Sequence, residues 1–271
     1  MKFSVLMSIY AKEEPACFDR CMHSIWDEQT KKPDEIILVQ DGELTEALSA
    51  TISYWQNRIG NDFIVVALEK NQGLGKALNQ GLKACRYELV ARMDTDDIAL
   101  PQRFEKQLDI FIKNKDIDIC SSWVSEFNDD ENKIVSYRKV PENHDEIEKF
   151  AKRRNPMNHP AVMYKKSVVE KAGGYQHMPW FEDYYLWIRM LQSGAKFYNI
   201  QTALLKMRIG NGQLERRRGY LYAKAELDFM KAVRNIGFLS PYAFVRNISI
   251  RFLSRVLPRA FIKRIYLGIH K

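Results

Sequence analysis

A chain of 271 residues with 46% hydrophobic and 28% charged side chains can bury a full core, and it is too apolar for extended disorder. No apolar run is long enough to cross a bilayer, which excludes a membrane-spanning protein. The net charge of +8 is gathered at one end: Ala203 to Lys271 holds fifteen Lys and Arg against three acids, an asymmetry that suits an anionic partner such as lipid head groups or nucleic acid.

In chain order, Phe3–Ile9 reads as a strand that starts directly after Met1, without the apolar run and cleavage site of a signal peptide. A cytoplasmic location is expected. Helices are expected over Pro15–Glu28, Leu44–Ile59 and Leu74–Cys85, alternating with strands over Glu35–Gln40, Phe63–Ala67 and Glu88–Met93. The four cysteines form no metal-ligand spacing and are expected to be reduced, structural thiols. Pro101–Asn114 reads as a helix and Asp118–Phe127 as a strand. The stretch from Lys139 to Gly174 is mixed, and Trp180–Ser193 reads as a helix. Beyond Gln201 the pattern is helical and basic. The alternation over the first hundred residues predicts an α/β fold with a mostly parallel sheet flanked by helices. Ligands of such sheets bind beyond the carboxyl ends of the strands, so the residues following each strand are the candidates.

Four groups of residues stand there or nearby. Asp94-x-Asp96-Asp97 follows the fourth strand. Three carboxylates so close repel one another unless a hard cation such as Mg²⁺ or Mn²⁺ is bound, although in isolation the same pattern serves as an acidic turn before a helix. Asn71-x-Gly73-x-Gly75-Lys76-x-x-Asn79-x-Gly81 places glycines at a strand-to-helix turn, where backbone can approach a phosphate or nucleoside. It is neither a Walker loop nor a dinucleotide fingerprint, and ordinary turn chemistry accounts for it equally well. Trp180 to Trp187 embeds Glu182 and Asp183 among aromatics, a setting for sugar stacking and for a carboxylate of raised pKa, or simply for a helix N-terminus with a buried aromatic face. Asn155-Pro156-Met157-Asn158-His159-Pro160 is a rigid polar loop able to border a pocket.

Taken with Ser4-Val5-Leu6-Met7-Ser8-Ile9-Tyr10 and the Asp41-Gly42 pair, these motifs resemble, in order, those of family 2 glycosyltransferases. The likeness covers about Met1 to Gln201. Arg92 to Asp97, the Asn158-His159 loop, and Gly173-Gly174-Tyr175 through Trp187 are similar to bacterial O-antigen and exopolysaccharide transferases. These are the amylovoran-type and β-1,3-galactosyl- or glucosyltransferases that extend a lipid-linked GlcNAc. The resemblance implies a GT-A fold over residues 1–201, with a nucleotide-sugar half of about 1–100, an acceptor half of about 101–201, and a helical, basic, membrane-associating segment over 202–271. It implies a UDP-sugar donor held by Ser8, Tyr10, Asp41, Asn71, Gly73, Lys76, Asn79 and Asp94, with Asp41 meeting the uracil. Mn²⁺ or Mg²⁺ would sit on Asp94, Asp96 and Asp97. Asp183 would be the general base, supported by Glu182, and His159, Trp180 and Arg208 would serve acceptor or diphosphate. The missing Gln-x-x-Arg-Trp motif of processive synthases implies transfer of a single sugar, UDP-galactose favoured and UDP-glucose next, to a polyprenyl-diphosphate-linked acceptor.

Arg251, Arg255, Arg259 and Lys263 recur every four residues beside apolar positions, as in interfacial helices or in a C-terminal helix packed on the domain with a solvated charged face, and Pro258 divides the pattern. A peripheral position on the cytoplasmic face of the inner membrane is therefore expected. Two rival readings are a sugar-1-phosphate nucleotidyltransferase, whose basic Gly-rich N-terminal signature is missing, and a nucleic-acid-binding protein, for which no helix-turn-helix, zinc or RNP motif is present.

Overall fold

The computed structural model describes residues 1–210 and 219–256. The chain divides into two compact units, Met1–Arg217 and Arg218–Lys271.

The first unit begins with β1 (Phe3–Ile9), α1 (Pro15–Met22, prolonged by a π turn to Asp27), β2 (Glu35–Asp41), α2 (Glu46–Ile59), β3 (Phe63–Leu68), α3 (Leu74–Ala84) and β4 (Leu89–Arg92). β1 and β2 are buried along almost their whole length, because helices cover both sheet faces; such strands read as unbroken apolar runs. The unit continues with β5 (Ile98–Ala99), α4 (Arg103–Lys113), β6 (Ile119–Phe127), β7 (Ile134–Arg138), α5 (His144–Ala151), β8 (Met163–Lys165), α6 (Lys166–Lys171), α7 (Glu182–Gln192) and β9 (Phe197–Arg208).

The nine described strands form one sheet in the order β3-β2-β1-β4-β8-β6-β9-β5, with β7 paired to β6. β3, β2, β1 and β4 are parallel neighbours, and β6 runs parallel to β9. β8 is antiparallel to both β4 and β6. From β1 the chain moves outward through β2 and β3, then returns to place β4 on the other side of β1. That reversal opens a crevice beyond the carboxyl ends of β1, β2 and β4, where such sheets take their ligands.

Two elements differ from expectation. Residues 202–208, expected to be helical, complete the twelve-residue strand β9. There Leu205 and Met207 are buried while Lys206 and Arg208 are half-exposed, a period of two that the density of positive charge had obscured. The aromatic helix starts at Glu182 rather than Trp180, because Trp180 has φ 65° and cannot continue a right-handed helix.

The second unit contains α8 (Gly219–Asn235) and α9 (Pro241–Val256), in keeping with a helical, basic C-terminus. Of the basic stripe only its start lies within described structure; Arg259, Lys263 and the Arg216–Arg218 cluster lie outside the described residues.

Candidate active site

The crevice is built from three strand ends and the start of one helix. At the end of β2, Asp41 accepts hydrogen bonds from the backbone N–H groups of Gln72 (2.7 Å) and Gly73 (3.0 Å), one on each carboxylate oxygen. Asn71 Nδ2 donates to the Asp41 carbonyl at 3.2 Å. The turn after β2 and the loop before α3 are thus fastened together, so closely that a Cβ on Gly42 would lie 2.6 Å from Asn71 N. Gly73, at φ 87°, is the N-cap of α3, and Lys76 is exposed on its first turn. Asp41 therefore shapes the loop before α3 through one hydrogen bond to each carboxylate oxygen. Ser8 and Tyr10, both half-buried, close the end of β1 beside it.

Asn79 does not face the crevice as a free amide. Its Nδ2 donates to the Tyr175 carbonyl (2.7 Å) and its Oδ1 accepts from the Tyr175 N–H (2.8 Å). Both ends of the side chain are engaged in holding the Gly173–Tyr175 turn against α3. The side chain expected at the nucleotide thus serves as a clamp between α3 and that turn.

Beyond β4 the acidic turn surrounds Arg92, which is 1% exposed. Its Nη1 pairs with Asp94, while its Nε is buried without a hydrogen-bond partner. Arg103 Nη2 donates to the Arg92 carbonyl at 2.6 Å, so α4 holds the turn from below. Asp97 is also buried; its Oδ1 accepts from Arg208 N at 2.9 Å and its Oδ2 has no partner. Arg208 Nε donates to the Asp96 carbonyl (3.3 Å), and its guanidinium stacks over Phe127. The last residue of β9 is thereby brought to the acidic turn.

Burial, then Asp94, pushes Asp96 up to about 6; burial, then Asp94 and Asp96, pushes Asp97 well above the carboxylate range. A carboxylate cluster held against its own charge, with one buried oxygen unpartnered, suits a bound divalent cation. Among the described residues, however, no three His, Cys, Asp or Glu side chains converge as a ligand set. The expected three-carboxylate cage is not formed, since Asp94 turns to Arg92 and Asp97 is tied to β9. One or two carboxylates of the turn, Asp96 foremost, would hold such an ion, in keeping with the few protein ligands that Mg²⁺ usually takes.

Asp183 lies on the first turn of α7, whose helix dipole favours a negative charge there. Asn155 Nδ2 donates to Asp183 Oδ2 at 2.6 Å, and Asn155 Oδ1 accepts from Met157 N, which fixes the amide. The loop is stitched to its surroundings by Asn158 Nδ2 to the Ser122 carbonyl (2.8 Å) and Asn199 Nδ2 to the Pro156 carbonyl (3.1 Å). Burial raises the Asp183 pKa, and the Asn155 hydrogen bond and the charge of Arg92 offset part of that rise. Glu182 packs against Gly75: a Cβ there would lie 3.4 Å from Glu182 Cγ, so α7 abuts the start of α3. His159 Nε2 is 2.9 Å from Tyr175 Oη and its ring packs at a tilt on Trp187; burial and Arg92 push its pKa well below the ordinary value. Trp180, 47% exposed beside this group, holds a left-handed backbone conformation that is costly for a bulky side chain.

Two site residues were not assigned from sequence. Glu13, in the loop after β1, is pushed up to about 7 by burial and by Asp96 and Asp94, with a hydrogen bond from Thr95 opposing. Its place after a strand end was the available signal. Asn155 stood in a loop of recognised rigidity, but its partner lies 28 residues away and nothing local marks it.

The sequence profile described as "Glycosyl transferase family 2" matches residues 4–173. The chain is 41% identical over 266 residues (98% of this chain, 95% of the relative) to an Escherichia coli protein named UDP-Gal:alpha-D-GlcNAc-diphosphoundecaprenol beta-1,3-galactosyltransferase. It is 39% identical over 267 residues (97% of each) to the amylovoran biosynthesis glycosyltransferase AmsE of Erwinia amylovora. Among solved structures, that of S. aureus TarS in complex with UDP-GlcNAc superposes with a TM-score of 0.68 at 17% identity, covering 94% of this chain and 72% of TarS; it establishes the likeness of fold.

Proposed function

Since the chain belongs to glycosyl transferase family 2, we propose that it moves one hexose from UDP-galactose, with UDP-glucose next in preference, to a GlcNAc-diphosphate-undecaprenol acceptor. The enzyme is a GT-A hexosyltransferase of polysaccharide synthesis. The observation that carries the proposal is the disposition of carboxylates about Arg92, whose charge acts on Asp94, Asp96 and Asp97 and also on Asp183. One group suits a donor diphosphate and the other a reacting hydroxyl.

In this reading the loop from Asn71 to Lys76, shaped by Asp41, receives the nucleoside with Ser8 and Tyr10. Asp96 would hold a divalent cation, which would neutralise charge on the departing diphosphate, while Asp94 keeps Arg92 in place. Asp183 Oδ1 takes the proton of the acceptor hydroxyl while Asn155 holds Oδ2. The hydroxyl oxygen forms a bond to the anomeric carbon as the bond to UDP breaks, its electron pair leaving with UDP, and the product has inverted configuration. Arg208 guards the acidic turn, and Trp180 offers a face to the acceptor sugar.

No helix of the described residues is long and apolar enough to cross a membrane. A lipid-linked acceptor then places the enzyme peripherally on the cytoplasmic face of the inner membrane. The test is incubation with a panel of UDP-sugars and a GlcNAc-diphosphate-lipid analogue, with products read by mass spectrometry and NMR. A β-linked galactose on GlcNAc is the expected product. Transfer from another donor alone overturns the galactose assignment, and full turnover by Asp183→Asn removes Asp183 from its role.

A further inference from the structure

The second unit carries an apolar groove that no part of the transfer reaction uses. It lies between α8 and α9, has a volume of about 350 Å³, and is lined by Tyr220, Ala223, Leu227, Met230 and Ile248. That size falls within the range of small-molecule sites. Glu226, at its wall, is paired with Arg251, so the carboxylate next to the groove is neutralised. Lys224 stands on the rim.

The outer face of α8 has a matching pattern. Tyr220, Lys224, Leu227, Lys231 and Arg234 recur four and three apart and all are exposed, opposite the buried Phe229 and Val233. Tyr220 is 80% and Leu221 71% exposed, and α9 adds Tyr242 at 76%. Aromatic and aliphatic side chains left in water among lysines and arginines form the arrangement of a helix lying in a membrane interface.

Charge decides the occupant. From Arg218 to Lys271 the sequence holds eleven Lys and Arg against two acids, Glu226 and Asp228. A second copy seated on this face would bring like charges together. An acidic soluble peptide would satisfy the lysines and leave the groove empty. We infer that the groove takes one hydrocarbon chain of an anionic membrane phospholipid, whose phosphate rests on Lys224 and Lys231. This inference rests on the reading that the enzyme works at a membrane surface, and it names the residues and lipid class of that contact.

The experiment uses the full chain and sucrose-loaded vesicles of phosphatidylcholine, with or without phosphatidylglycerol, together with soluble dihexanoyl-phosphatidylglycerol as a probe. Wild type is expected to sediment with the anionic vesicles only and to bind the soluble probe. Ala223→Trp fills the groove and Leu227→Asn removes apolar contact at an exposed position, neither changing the charge. Each is expected to weaken both kinds of binding by about tenfold or more, the scale of roughly two methylene groups left unburied. Lys224→Glu with Lys231→Glu is expected to abolish vesicle binding. If the charge reversals act while Ala223→Trp and Leu227→Asn do not, charge alone docks the protein and the groove assignment is overturned. Polyglutamate that competes as well as the lipid probe also overturns it, in favour of an acidic peptide. Transfer to a water-soluble GlcNAc acceptor is measured alongside. Its failure in wild type would count against the transferase reading, whereas vesicle binding reports on the groove independently of turnover.

Discussion

Asn155 Nδ2 donates a 2.6 Å hydrogen bond to Asp183 Oδ2, and the Asn155 amide is itself held by Met157 N. This contact favours the ionised carboxylate, whereas burial disfavours it. The acid limb of kcat/KM is therefore expected to lie above the ordinary carboxylate range. In Asn155→Ala the donor is lost, the Asp183 pKa rises further, and the limb moves to higher pH. Turnover at neutral pH should fall by roughly tenfold or more, the scale of a lost hydrogen bond to a charged group. pH–rate profiles of wild type and Asn155→Ala decide the matter; an unmoved acid limb would detach Asn155 from the base.

The Asn79 clamp on Tyr175 separates two roles that a sequence motif merges. Asn79→Ala removes two buried-edge hydrogen bonds and is expected to cost about 1–3 kcal/mol of stability. UDP affinity should change little, because neither amide atom is offered to the donor. Thermal unfolding and calorimetric UDP titration check this together. A large loss of UDP affinity at unchanged Tm would return Asn79 to the nucleotide.

Those two asparagines mark where sequence reading ends. β1, β2 and β4 were legible because fully covered parallel strands are continuous apolar runs, and the acidic turn was legible because carboxylates concentrate after one of them. β5 and β8, two and three residues long, leave no pattern to read. β9 was hidden because its alternation of apolar and cationic residues was read as part of a basic tail. Asn79, Asn155 and Glu13 have roles set by partners distant in sequence, and side-chain direction is fixed only when the sheet brings those partners together.

Divalent metal dependence follows from the acidic turn. Chelation by EDTA is expected to stop transfer, and Mn²⁺ or Mg²⁺ to restore it. Asp96→Asn should raise the metal concentration for half activity by at least the roughly 10- to 100-fold that outer partners of a metal site cost. Asp94→Asn should act less on metal affinity and more on the placement of Arg92, its ion-pair partner. Metal titrations of both variants distinguish these outcomes, and an unchanged rate in EDTA would remove the cation from the scheme.

The last relationship joins the fold to the donor loop. Gly81 lies in α3 where the helix meets β1 and β2, and a Cβ there would collide with Leu6 Cδ1 and lie 2.6 Å from Val39 Cγ2. Alanine is the better helix former by about 1 kcal/mol, so on an open helix face Gly81→Ala would stabilise. Here overpacking opposes that gain, at roughly 1–3 kcal/mol, and the net effect is expected to be destabilising. The strain must lift α3 from the sheet, and α3 begins at the loop whose Gln72 and Gly73 N–H groups bond Asp41. UDP affinity should therefore fall together with the urea midpoint. A variant as stable as wild type with normal UDP binding would mean that Leu6 and Val39 yield without moving the helix, and that the donor loop is positioned by Asp41 alone.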